Sequence, residues 1–233
     1  MPRLCIVFDL DDTLYLERDY VLSGFRAVGE WIRVTKGAPH FAHCAWQLFE
    51  SGAGDQTFQR ALNAIGQKAS PPLIEAMLHV YRSHSPDISL LPDSVHCLAE
   101  MKGFAEMGLI TDGRARSQLL KCARLGLPAL FRNIVCTGTW GEQFYKPHHR
   151  AFEFMEDRLG GERALFVYVA DNPHKDFAAP LARGWKTIRI RRTAGLNALV
   201  EAPPGLEPHT ELPDLWALPQ VVTALNQAIS RSE

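Results

Sequence analysis

The chain has 233 residues, a formal net charge of −1, and 46% hydrophobic and 22% charged side chains. That size allows one large domain or a core domain with a smaller insert, and the composition is that of a soluble globular protein. A charge this close to balance leaves no broad basic field for nucleic acid or an anionic membrane. No apolar run approaches the roughly 18–20 residues that span a bilayer. The first apolar stretch is also too short for a secretory signal and ends in Asp9. The five cysteines, Cys5, Cys44, Cys97, Cys122 and Cys136, are widely spaced and form no CxxC pair, which points away from a zinc or redox motif. Reduced thiols in a cytoplasmic protein are expected.

The first element is the apolar run LCIVF at residues 4–8, read as a buried strand. It runs straight into Asp9, Asp11 and Asp12. Helical periodicity follows at residues 19–34, 41–50, 56–65 and 72–83, punctuated by KGAPH, SGAGD and KASPP. Strand-like runs then recur at 108–110, 134–136, 165–169 and 187–190. Between them lie helices at 117–125, stopped by Gly126, and at 149–159, stopped by Gly160 and Gly161. Arg189, Arg191 and Arg192 form the only tight basic cluster and read as a solvated strand end. A proline-rich loop at 201–209 and a last helix at 221–229 complete the chain.

Alternating strands and helices predict a Rossmann-like open parallel α/β sheet with right-handed crossovers. Some seventy helical residues directly after the first strand are too many for one crossover. They predict an inserted four-helix domain at 16–87, with the α/β core at 1–15 and 88–233 and linkers near 15–18 and 83–92.

Ligands of open α/β sheets sit at the carboxyl ends of the strands. The first strand ends in DLDDT, the second in LITDG and a later one in ADNPHKD, while Lys146 stands in YKP before a helix. This series resembles the haloacid dehalogenase superfamily, in its helical-cap branch, over roughly residues 4–190. The resemblance implies Asp9 as nucleophile, Asp11 as acid/base, Thr111 as phosphate ligand, Lys146 as the third motif and Asp171 as a metal acid. Ala170 stands where the family has glycine, which keeps the site small.

Asp9 is placed to attack phosphorus and form an aspartyl-phosphate. Phosphoryl transfer spreads negative charge, so cations must surround it. Mg²⁺ held by Asp9, Asp171 and the backbone carbonyl of Asp11 suits that need. Asp11, two residues from Asp9 and on the same side of an extended segment, could protonate the leaving alcohol and later activate water. Lys146 would neutralise Asp9 and a phosphate oxygen; Asp112 would help shape the phosphate loop. Asp176 and Asn172 are expected behind the metal ligands, and Asp12 in a turn or cap.

Family dehalogenases and phosphonate-cleaving members lack an acid where Asp11 stands. Hydrolysis of a small phosphorylated metabolite is therefore expected, with a sugar-phosphate mutase or a non-catalytic binding protein as alternatives. Arg18, just past the first motif, is the candidate substrate contact in the helical insert. Oligomeric state is not encoded legibly.

Overall fold

The computed structural model describes residues 3–52, 54–160 and 164–232. The chain forms two compact units, Arg18–Ile88 and the remainder, Met1–Glu17 with Ser89–Glu233.

The larger unit is built on a six-stranded, all-parallel sheet in the order β3-β2-β1-β4-β5-β6. The strands are β1 (Arg3–Phe8), β2 (Glu106–Thr111), β3 (Asn133–Cys136), β4 (Ala164–Ala170), β5 (Lys186–Ile190) and β6 (Thr210–Leu212). β1 and β4 read almost wholly buried because both faces of a parallel sheet are covered. Helices α5 (Pro92–Met101), α6 (Ala115–Arg124), α7 (Arg150–Leu159), α8 (Ala178–Ala182) and α9 (Leu218–Ser232) belong to this unit. One face of the sheet packs Val7, Ile110 and Tyr168 with Phe152 and Met155 of α7, and Trp185. Gly108 permits that packing: a Cβ there would lie 2.8 Å from Met155 Sδ and 2.9 Å from Leu159 Cδ1.

The smaller unit takes α1 (Glu17–Lys36) from its second residue, then α2 (Phe41–Glu50), α3 (Thr57–Ala64) and α4 (Pro71–Ser83). Its core is apolar and rich in rings. Phe25, Val28, Ile32, Phe41, Leu62 and Met77 are buried together, and Phe58 meets Phe41 edge-on at 5.8 Å.

The α/β class and the inserted helices match the sequence reading, and β6, α5 and α8 are additions to it. Gly160 is the C-cap of α7; Gly161 lies outside the described residues. The reading of the arginine cluster is corrected. Arg189 is fully buried, and its guanidinium donates to the backbone carbonyls of Asp171 (3.0 Å), Asn197 (2.9 Å) and Val200 (2.6 Å). Arg192 is buried too, reaching Thr13 O at 2.7 Å and Asp93 at 2.8 Å. The physical reason is the loops at the strand ends. The carbonyls of Thr13, Asp171, Asn197 and Val200 lie outside the sheet's ladders, and five-donor forks satisfy several of them at once. All five cysteines are free thiols. Among the described residues, no helix is long and apolar enough to cross a membrane.

Candidate active site

Strand order brings the motifs together. β1 lies between β2 and β4, with Phe8 in register with Leu109 and Val169. One residue on, the Asp9 amide still donates to Val169 O at 2.9 Å. Thr111 is the last residue of β2, and Asp171 follows the last residue of β4. Neighbouring strands run about 4.8 Å apart, so side chains leaving these three ends converge.

Lys146 binds the acids into one cluster. Its Nζ donates to Asp9 Oδ1 at 2.5 Å and to the Tyr168 hydroxyl oxygen at 3.0 Å. Asp176 Oδ1 lies 2.7 Å from the same Nζ, as an ion pair outside hydrogen-bond alignment. All four side chains are buried. Burial pushes the Asp9 carboxyl up to about 6, and the Lys146 charge only partly pulls it back. Burial works to lower the Lys146 ammonium, but the Asp176 and Asp9 charges outweigh it and leave it raised well above its ordinary value.

Asp9, Asp171 and Asp176 each offer a carboxylate oxygen within 4.8 Å of the others. Burial, then the nearby Asp176 and Asp9 charges, hold the Asp171 carboxyl well above the usual range. Such a group gains from a proton or a cation, and three hard oxygens suit a hard divalent ion. Asp176 sits in this group rather than behind it. Asn197 orients Asp171, donating Nδ2 to its Oδ2 at 2.8 Å. Asn172 works through its backbone: its amide donates to Asp176 Oδ2 at 3.0 Å, while its side-chain oxygen accepts from His174 N.

The Asp11 carboxylate stands outside the three-acid group. It is held by Lys121 Nζ at 2.7 Å, by Gln118 Nε2 at 3.1 Å and by the Tyr15 hydroxyl. Burial pulls its carboxyl up, but the Lys121 charge and the bonds from Lys121 and Tyr15 prevail and lower it. Asp12 takes a left-handed turn (φ 54°) and accepts from Glu17 N at 2.9 Å, at the start of α1, and from Leu196 N at 2.7 Å. The Asp112 carboxylate faces protein donors, Thr137 Oγ1 at 2.6 Å and Lys146 N at 3.2 Å. Gly138 keeps this loop tight, since a Cβ there would lie 1.9 Å from Gly113 O. The Thr111 hydroxyl is buried with no hydrogen-bond partner. Arg18, in the helical unit, pairs with Glu50 and lies 5.4 Å over the Trp46 ring.

The family model for a haloacid dehalogenase-like hydrolase matches residues 4–182. The chain belongs to this family. It is a hydrolase of the haloacid dehalogenase-like type, similar to a glyceraldehyde 3-phosphate phosphatase of Methanopyrus kandleri (30% identical, covering 80% of this chain and 83% of that one). It is also similar to the pyrimidine 5'-nucleotidase YjjG of Escherichia coli (26% identical, covering 93% and 96%). Among solved structures, the hydrolase YfnB of Bacillus subtilis, bound to magnesium, shares the fold at TM-score 0.66 and 16% identity, covering 95% and 99%.

Within this haloacid dehalogenase-like site, Lys121, Gln118, Tyr168 and Asn197 carry no sequence motif. A signal did exist for two of them. Gln118 and Lys121 are three apart on a helix, hence on one face, and follow the LITDG motif closely.

Proposed function

We propose that this hydrolase cleaves phosphate monoesters of small metabolites, with Asp9 as nucleophile and an aspartyl-phosphate as intermediate. The observation that carries the reading is the Thr111 hydroxyl. A buried hydroxyl without a partner costs free energy. A phosphoryl oxygen seated at the ends of β1 and β2 would supply the missing bond, beside the Asp9–Lys146 pair.

In this reading Asp9 attacks phosphorus as the ester bond to the leaving alcohol breaks. Asp11 gives that alcohol its proton, then takes one from the water that releases phosphate and regenerates Asp9. Lys146 offsets charge on Asp9 and on the phosphoryl oxygens. Asp112 serves through its loop, since its carboxylate is turned to Thr137 and the Lys146 amide. The acid cluster fits Mg²⁺. Asp9 and Asp171 would hold it with the Asp11 carbonyl, and Asp176 stands within the same group of oxygens. When bound, the ion adds positive charge where the transition state needs it.

The relatives named for a three-carbon sugar phosphate and for pyrimidine nucleotides support a phosphorylated small molecule as substrate. Residues 16–87 would then be the cap that sets substrate choice, with Arg18 as its anionic contact. The test is hydrolysis of para-nitrophenyl phosphate by wild type and Asp9→Asn, with and without Mg²⁺. Mg²⁺-dependent turnover that falls at least about a thousandfold in the variant is expected. Equal turnover in the two proteins rejects Asp9 as nucleophile.

A further inference from the structure

Helix α6 buries polar side chains where apolar ones are expected. Its buried residues are Ser117, Gln118, Lys121 and Cys122, while Leu119 is 53% exposed. A helix against a sheet ordinarily turns its leucines inward. Burying a glutamine amide and a lysine ammonium instead is unfavourable unless each finds a strong partner. Both find Asp11. Lys121 is 3% exposed and reaches Asp11 Oδ1 at 2.7 Å, and Gln118 reaches Oδ2 at 3.1 Å while also donating to Asp112 O at 2.7 Å. Tyr15, four residues after Asp11 and fully buried, places its hydroxyl on the same Oδ1, and its ring lies 5.9 Å from Lys121 Nζ.

The distribution of donors is unequal. Each carboxylate oxygen has about two lone-pair directions. Lys121 and Tyr15 occupy both on Oδ1. Oδ2 accepts from Gln118 Nε2 at 3.1 Å, and its second lone-pair direction is the one a travelling proton would use. A carboxylate with one oxygen doubly anchored cannot swap its two oxygens or turn about its own bond without breaking charge-assisted bonds.

We propose that Lys121, with Gln118 and Tyr15, is the positioning residue that fixes Asp11 for proton transfer through Oδ2. The inference rests on Asp11 being the acid/base of the proposed reaction. Asp11 must enter the first half-reaction carrying a proton, taken up from solvent or left by the previous turnover, and that proton leaves Oδ2 for the ester oxygen as that oxygen parts from phosphorus. In the second, a water proton returns to Oδ2 as the water oxygen bonds phosphorus and the Asp9–phosphorus link breaks. Lys121 touches neither substrate nor phosphorus; it acts through Asp11.

The experiment compares kcat/KM across substituted phenyl phosphates. Para-nitrophenolate departs without a proton, whereas phenolate benefits from one. Lys121→Met is expected to lose about tenfold more on phenyl phosphate than on para-nitrophenyl phosphate, with Lys121→Arg recovering most of it. A uniform loss across the series overturns the proposal and leaves Lys121 a structural partner. Asp11→Asn run in parallel separates the two layers: without a leaving-group-dependent loss there, the acid/base reading fails and takes the proposal with it. Should Lys121→Met not fold, Gln118→Met and Tyr15→Phe must each show the same split, smaller in size. A crystal structure of whichever variant folds gives a readout independent of turnover. The Asp11 carboxylate is expected to be turned from its wild-type orientation, and an unmoved carboxylate overturns the proposal.

Discussion

The two units bury different things. In Arg18–Ile88 the buried polar side chains among the described residues are two hydroxyls, Ser23 and Thr57, and the rest is aliphatic and aromatic. The larger unit buries Asp9, Asp171, Asp176, Lys146, Lys121 and Arg189. Apolar burial stabilises at about 25 cal/mol per Å² and asks for no specific partner. Buried charge is at best neutral for stability and severe when one partner goes. A core that accepts the second arrangement holds it for chemistry; a core of the first kind is free to vary in sequence while keeping its volume.

Lys146→Met tests this contrast most strongly. It strands Asp9 and Asp176, so kcat/KM for a phosphate ester is expected to fall at least about a hundredfold. Stability in urea is expected to fall by about 3–5 kcal/mol. A variant as stable as wild type would break the contrast. Phe41→Ala in the helical core removes a fully buried ring and is expected to cost a similar 3–5 kcal/mol through a cavity alone. Restoration by Phe41→Leu to within about 1.5 kcal/mol would sharpen the point, because volume rather than charge decides there. Saturating Mg²⁺, at about a hundred times its Kd, is expected to add about 2.7 kcal/mol to wild type and nothing to Asp171→Asn, read by thermal unfolding. An equal shift in both places the ion elsewhere.

The pH dependence of the metal-free chain is a finer probe. Asp9 is raised from 3.8 to about 6 on folding, so the folded form binds its proton more tightly than the unfolded one. That contribution is complete below about 3.8 and is lost as pH climbs through about 6. The difference in unfolding free energy between wild type and Asp9→Asn should therefore move against wild type over that window, and Mg²⁺ should flatten it. A flat difference without metal removes the burial argument. The smallest effect belongs to Arg18→Ala. Its pair with Glu50 is exposed enough to be worth about 0–1 kcal/mol. Its expected signature is a raised KM with kcat less affected, and an unchanged KM for the physiological substrate removes Arg18 as the proposed substrate contact.

Much of the larger unit was legible because parallel strands write themselves as continuous apolar runs, each ending in a polar residue. Asp9, Thr111 and Asp171 stood out for that reason, and Lys146 stood out with them only as part of the series. What escaped was set by tertiary context. Lys121 and Gln118 look like ordinary helix-surface residues until the helix is rotated against the sheet. Arg189 continues an amphipathic strand in sequence, and only the unladdered loop behind it explains its burial. β6 has three residues, none fully buried, too short to show a period. Asp176 could be placed near Asp171 by spacing, but its distance from Asp9 and Asp171 is fixed by the turn that the Asn172 amide makes.

β1 has a neighbour on each side, and its ladder extends past its end through the Asp9 amide. Exposing its backbone to solvent means parting it from β2 and β4 together, whereas β6 touches only β5. Amide hydrogen exchange at residues 5–8 should consequently proceed through opening of the whole unit, and at β6 through fraying of the edge. The carboxylate proposed as nucleophile is thus mounted directly on an interior strand, and its aim would drift no more than the sheet itself does.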